Sequence, residues 1–150
     1  MDLYDSEIQD FVTASHRIAV HGLVKCSSGN LSCRISPDIA LLSVSRSWLG
    51  ELTAEQVAVC EISTGNCIND KKPTCESLFH LGILKNRPQT NVVLHFQSPY
   101  ATAIACGMPE TIDYNTTIEV PVYIGTPAVV EYYPPGSNPL AQAVIDVFED

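Results

Sequence analysis

Residues 73–97 read PTCESLFHLGILKNRPQTNVVLHFQ. Thr74 is a helix-capping residue type, and the apolar run behind it predicts a helix from Cys75 to about Asn86. A proline disfavours helical geometry at the residue before it, so Arg87-Pro88 ends that helix. The helix is apolar on most sides, which means that it is buried. VVLHF then reads as a strand, which puts His95 and Gln97 on one face and Phe96 on the other, packed away from them. A buried helix feeding a strand is a unit of a layered α/β domain.

Upstream, Ile8, Phe11, Val12, Ser15, Ile18 and Ala19 follow helical spacing within Leu3 to Leu23, closed by Gly22. The strands NLSCRIS and ALLSVS come next, joined by the turn residues Pro37 and Asp38. LTAEQV is a turn of helix with the capping-box pair Thr53 and Gln56, and VAVCEI resumes as a strand. Downstream, SPYATAIACG reads as a short helix stopped by Gly107, VPVYI as a strand, YYPPGSNP as a loop and PLAQAVIDVFED as a last helix. Strands that follow one another through short turns pair antiparallel. The expected fold is therefore α/β, a single layered α/β/α domain over residues 1–150 with a central, largely antiparallel sheet.

The chain has 17 acidic against 8 basic residues, a formal net charge of −9, and its bases are scattered. No basic stripe is available for a phosphate backbone, so nucleic acid is not an expected partner. No window reaches the roughly 18 apolar residues of a membrane span, and the N-terminus MDLYDSEIQDF carries acids where a targeting peptide carries bases. The expectation is a soluble, cytoplasmic protein with no membrane partner. The six cysteines lack any C-x-x-C spacing, which argues for reduced thiols rather than a structural zinc site.

Three stretches carry chemistry. CSSGNLS, residues 26–32, offers hydroxyls, a glycine and an asparagine that can form an anion nest, or an ordinary turn. In PTCESLFH the Thr74 corner presents the positive end of a helix, and Glu76 beside it is either a base held next to an anion or a complement to the helix dipole. His80 shares the face of Glu76 and reads as an orienting or core histidine. His95 and Gln97 either converge on a metal or close an ordinary strand end.

Gly29-Asn30-Leu31-Ser32, then LLSVSRSWLGELT, then Thr74-Cys75-Glu76, then Arg87-Pro88 and finally His95-Phe96-Gln97 stand in an order and spacing that resembles the class II aldolase/adducin family. The likeness covers almost the whole chain. It implies a zinc-dependent lyase that cleaves a ketose 1-phosphate of the L-fuculose 1-phosphate type to dihydroxyacetone phosphate and an aldehyde through a zinc-stabilised enediolate. One Zn2+ per subunit, a phosphorylated sugar substrate and a homotetramer are implied with it. By the same resemblance Glu76 is the acid/base, and Tyr114 is a proton donor across a subunit contact. His95 and Gln97 hold the metal, and Ser27, Ser28, Gly29, Asn30, Ser45, Arg46, Ser47, Thr74 and Cys75 surround the phosphate. Same-fold epimerases and dehydratases, and the adducin branch in which the fold serves assembly, are the alternatives. Gln97 stands where the family has a second histidine, and Ser45-Arg46-Ser47 where its phosphate loop has a glycine. The family's third histidine ligand would fall beyond Asp150, so the chain is expected to be a portion of a longer domain.

Overall fold

Alternation along each strand lets one sheet bury both faces. In the computed structural model, which describes residues 4–107 and 112–148, the strands are β1 (Gly29–Ser36), β2 (Ile39–Ser43), β3 (Val57–Glu61) and β4 (Val92–Phe96). They pair in the order β3-β2-β1-β4, and every neighbouring pair is antiparallel. Leu31, Leu41, Val57 and Val59 point to one face and pack with Phe11 of α1 (Asp5–Val20). Ala40, Leu42, Ala58 and Cys60, the alternate residues, point to the other face and meet Leu81 and Leu84 of α2 (Ser77–Asn86). α4 (Asn138–Asp146) lies on α2 through Ala141, packed with Phe79 and Ile83. Each fully buried leucine contributes about 2 kcal/mol by leaving water. Leu41 and Leu42, adjacent in the chain and both without exposed surface, thus tie the sheet to opposite helical layers. The expected layered α/β/α architecture with an antiparallel sheet is the one observed.

Turn chemistry holds the hairpins. The Asp38 carboxylate accepts hydrogen bonds from the Ser63 backbone N–H and hydroxyl, both at 2.8 Å, which clips the β1–β2 turn to the end of β3. The Thr53–Gln56 capping box is present as the sequence predicts. Ser137 caps α4 by accepting from the Leu140 N–H at 3.3 Å, so this helix begins at Asn138 rather than Pro139. Leu3, the expected start of the first helix, and residues 149–150 at the end of the last one lie outside the described residues.

Three expectations are corrected. α2 begins at Ser77, not Cys75: the Thr74 hydroxyl accepts from the Glu76 N–H at 3.4 Å and the Thr74 carbonyl from the Ser77 N–H at 3.1 Å, which makes residues 74–76 a turn ahead of the helix. VPVYI is not a strand. Val120–Ile124 forms a π-helical turn with Val122, Tyr123 and Ile124 exposed. β-branched residues favour a strand only when a neighbouring ladder receives them, and among the described residues β4 has no partner on its outer edge. Phe96, expected in the core, is 38% exposed at that edge. No described helix is long and apolar enough to cross a membrane. Pro99–Gly107 forms the expected short helix, α3.

Candidate active site

Cross-strand partners in an antiparallel pair project from the same face. The β1–β4 register sets Asn30 opposite His95 and Ser32 opposite Val93, so Asn30, Ser32 and His95 share the face covered by α2. The start of α2 brings Glu76, Phe79 and His80 to meet them. Glu76 Oε2 accepts from Asn30 Nδ2 at 2.7 Å and from His95 Nδ1 at 2.6 Å. The Glu76 side chain is 12% exposed and that of His95 34%, so the pair is partly open to solvent on the histidine side. The hydrogen bond from His95, helped by that from Asn30, holds the Glu76 carboxyl below the usual carboxylate range against the opposing effect of burial.

His95 turns Nδ1 to Glu76, which leaves Nε2 as the ring nitrogen that a metal could take. The Phe79 ring stands edge-on to His95 at 5.8 Å and stacks on His80 at 4.7 Å, fixing both imidazoles. His80 has no exposed surface. Its Nδ1 is 2.7 Å from Ser32 Oγ and its Nε2 is hydrogen-bonded to Asn30 Oδ1. Burial, with His95 nearby, lowers its pKa to about 3, so it is neutral. Ser32, His80, Asn30, Glu76 and His95 thereby form one continuous polar run within an otherwise apolar layer.

A second corner adjoins this run. Ser45 Oγ donates to the Pro73 carbonyl at 3.1 Å, and the Thr74 N–H donates to the Ser43 carbonyl at 2.9 Å. The segment 43–47 is thus laid against the turn that carries Glu76. Thr74 and Ser47 are buried, while Arg46 and Cys75 are exposed. Ser47 Oγ donates to the Val44 carbonyl at 2.9 Å, a bond that shapes the loop. Arg46 adopts φ 65, a left-handed conformation that costs a non-glycine residue about 1–2 kcal/mol. Gly136, at φ 72, packs so closely on this turn that a Cβ there would lie 2.8 Å from the Cys75 carbonyl oxygen.

The expected site residues therefore separate into groups. Asn30, Glu76 and His95 are in direct contact, and Ser45, Arg46, Ser47, Thr74 and Cys75 form the corner beside them. Gly29 is one residue from Asn30 and is paired with Phe96. Ser28 turns its hydroxyl onto the Lys25 backbone, and Ser27 is exposed. Gln97 is exposed one residue past the end of β4. Tyr114 is half-buried, and among the described residues no hydrogen bond joins it to Glu76 or His95. The sequence places Ser32 in the CSSGNLS stretch and the Gly29-Asn30-Leu31-Ser32 motif but assigns it no role; its place two residues after Asn30 on a strand was the signal for its contact with His80. The sequence reading missed the packing of the Gly136 loop on Cys75. An open groove of about 340 Å³ lined by Phe11, Ile18, Leu31, Ile35 and Val92 lies on the α1 side of the sheet, away from Glu76.

Among the described residues no group of three or more His, Cys, Asp or Glu could hold a metal ion. A catalytic zinc takes three protein ligands and leaves a position open. His95 Nε2, on a partly exposed side chain and with no hydrogen-bond partner found among the described residues, fits such a role, and Gln97, two residues on, carries an amide oxygen as a second donor. These two make a partial set.

A profile of the Class II Aldolase and Adducin N-terminal domain family matches residues 9–150. The chain belongs to this family. Among class II aldolase relatives, 3-oxo-tetronate 4-phosphate decarboxylase of Haemophilus influenzae is 35% identical over 120 residues, which are 77% of this chain and 56% of that protein. L-fuculose phosphate aldolase of Methanococcus maripaludis is 31% identical over 143 residues, 95% of this chain and 76% of that protein. The solved structure of YgbL from Escherichia coli superposes with a TM-score of 0.81 at 26% identity, covering 97% of this chain and 71% of the other. This class II aldolase-family chain spans little more than half the length of the decarboxylases that it matches.

Proposed function

We propose that the protein is a metal-dependent lyase of a phosphorylated sugar, and that its reaction is aldol cleavage of a ketose 1-phosphate of the L-fuculose 1-phosphate type. The observation that carries this reading is the enclosed, ionised Glu76, gripped by Asn30 and His95 and set beside a corner of hydroxyls, backbone N–H groups and Arg46. Thr74, Ser45 and Arg46 bind the substrate phosphate, with Ser27, Ser28, Gly29, Ser47 and Cys75 around it, and Arg46 supplies the charge-assisted contact. His95 and Gln97, with a ligand from outside the described residues, hold the zinc, which when bound polarises the substrate carbonyl and stabilises the charge that develops beside it. Cleavage moves one proton from the hydroxyl that becomes the aldehyde carbonyl to the carbon left next to the ketone: the Glu76 carboxylate receives a proton, and the acid so formed delivers it to that carbon as the carbon–carbon bond breaks. Tyr114, from a neighbouring subunit of a homotetramer, relays the proton of the hydroxyl that becomes the aldehyde carbonyl. Glu76 with both of its donors in place supports catalysis over an assembly-only role.

A second reading is decarboxylation of a 3-oxo-tetronate 4-phosphate, favoured by the 35% identity to the Haemophilus influenzae enzyme of that name. Both reactions leave charge on a carbon next to a carbonyl, so one base and one metal serve either. Incubating the native protein and zinc with each substrate separates them: an aldehyde released from the ketose 1-phosphate supports the first and carbon dioxide released from the 3-oxo acid phosphate the second, dihydroxyacetone phosphate being left by both. Neither product above a chelator-treated control would overturn both.

The Gln97 assignment has its own test. A neutral amide oxygen is a poorer zinc donor than imidazole. Gln97→His is expected to tighten zinc binding by at least the roughly tenfold that changes outside a ligand set produce. Competition with a chromophoric chelator measures it, and equal affinities would remove Gln97 from the metal.

A further inference from the structure

We propose that His80 is a positioning residue that fixes the orientation of the Asn30 amide, and through it the aim of the Glu76 carboxylate. The inference rests on the reading of Glu76 as the proton-transfer group, and its geometry is independent of any metal. An ionised carboxylate only accepts hydrogen bonds, so the Asn30 group 2.7 Å from Glu76 Oε2 is the NH2 end of the amide. The carbonyl end then faces His80 Nε2, which must carry its proton to satisfy it. With the proton on Nε2, His80 Nδ1 is an acceptor and takes the Ser32 hydroxyl proton across 2.7 Å. Every donor in the run meets an acceptor in this one arrangement.

The reverse arrangement fails at a definite place. If the Asn30 amide turned over, its oxygen would confront Glu76 Oε2 across 2.7 Å, two acceptors with no proton between them, and its NH2 would point at the Nε2–H. The Glu76 carboxylate and the proton on Nε2 together forbid the turn, and the Ser32 hydroxyl, free to donate to Nδ1, matches that tautomer. Asn30 and Ser32 sit on β1 while Glu76 and His80 sit at the start of α2, so the run also locks the helix against the strand at the site. Without the imidazole donor the Asn30 amide is free to rotate, and Glu76 keeps only His95 to hold it. A base out of place by an ångström loses rate without losing substrate, because the phosphate corner does not involve His80.

The test compares His80→Leu, which removes the donor at similar volume, with His80→Gln, whose amide N–H reaches the place of Nε2–H. His80→Leu is expected to lower kcat by about ten- to a hundredfold with KM little changed, and His80→Gln to recover most of the loss. Equal losses in both variants, or a loss confined to KM, would overturn the role. The side-chain amide protons of Asn30, followed by NMR in the wild-type chain, should exchange slowly with solvent and should become exposed in His80→Leu but not in His80→Gln. Rapid exchange in the wild type would overturn the proposal even if His80→Leu fails to fold. Protected amide protons in a protein without lyase activity would instead leave the positioning intact and overturn only the role of Glu76.

Discussion

Glu76→Gln is expected to lower kcat by roughly a hundredfold or more, the range in which a positioned acid/base contributes, while leaving the fold intact. Glutamine keeps the length of the side chain and can still accept from Asn30 or His95 through its one amide oxygen, so the turn at 74–76 and the start of α2 have no reason to move. What it cannot do is hold a transferable proton. The loss of charge-assisted hydrogen bonds costs about 1–3 kcal/mol at most, well within what a folded domain tolerates. The pH dependence provides a second readout. Because the folded protein holds the Glu76 carboxyl below its usual range, its stabilising contribution is complete above the unfolded value of about 4.3 and fades as the pH falls through the lower folded value. Glu76→Gln should lose that part of the acid sensitivity. A variant that turns over at the wild-type rate would show that another group moves the proton.

Gly29→Ala is expected to destabilise the fold at the β1–β4 contact beside the site. Gly29 has φ 153, and a Cβ there would sit 2.8 Å from Val24 Cγ1 and 2.9 Å from the backbone oxygen of His95. Val24 is buried at 5% exposure and the other obstacle is main chain, so neither can swing aside. Overpacking of this kind costs about 1–3 kcal/mol, and its relief requires β4 to move away from β1 at the residue proposed to bind metal. Zinc affinity should therefore fall together with the denaturation midpoint. Gly22→Ala is the control, since Gly22 has φ 75 with no atom within 4 Å of the place a methyl would take, and so carries the backbone cost alone. If Gly29→Ala were as stable as Gly22→Ala, with unchanged zinc binding, the close approach of the two strands would not matter to the site.

The features that were legible in the sequence are those that depend on neighbours along the chain. The alternation in NLSCRIS and the short β-branched apolar runs of VAVCE and VVLHF mark strands from residues adjacent in the chain. The Thr53–Gln56 capping box closes within one turn, so its residues suffice to predict it. The family motifs singled out Asn30, Glu76 and His95 as candidates, since each lies in a short pattern that can be recognised in place.

Contacts across long chain separations were decided only by the tertiary structure. VPVYI has the composition of a strand, yet a strand needs a ladder beside it, and without one among the described residues the segment is a π-helical turn. Thr74 has the composition of a cap, but its bond to Ser43 draws residues 74–76 into a turn and delays the helix to Ser77. The meeting of Asn30 with Glu76, 46 residues apart, and of Ser32 with His80, 48 apart, follows from the β1–β4 register and from the side of the sheet on which α2 lands. Local periodicity determines which face of a strand a side chain occupies, while register and layer packing determine what it meets there.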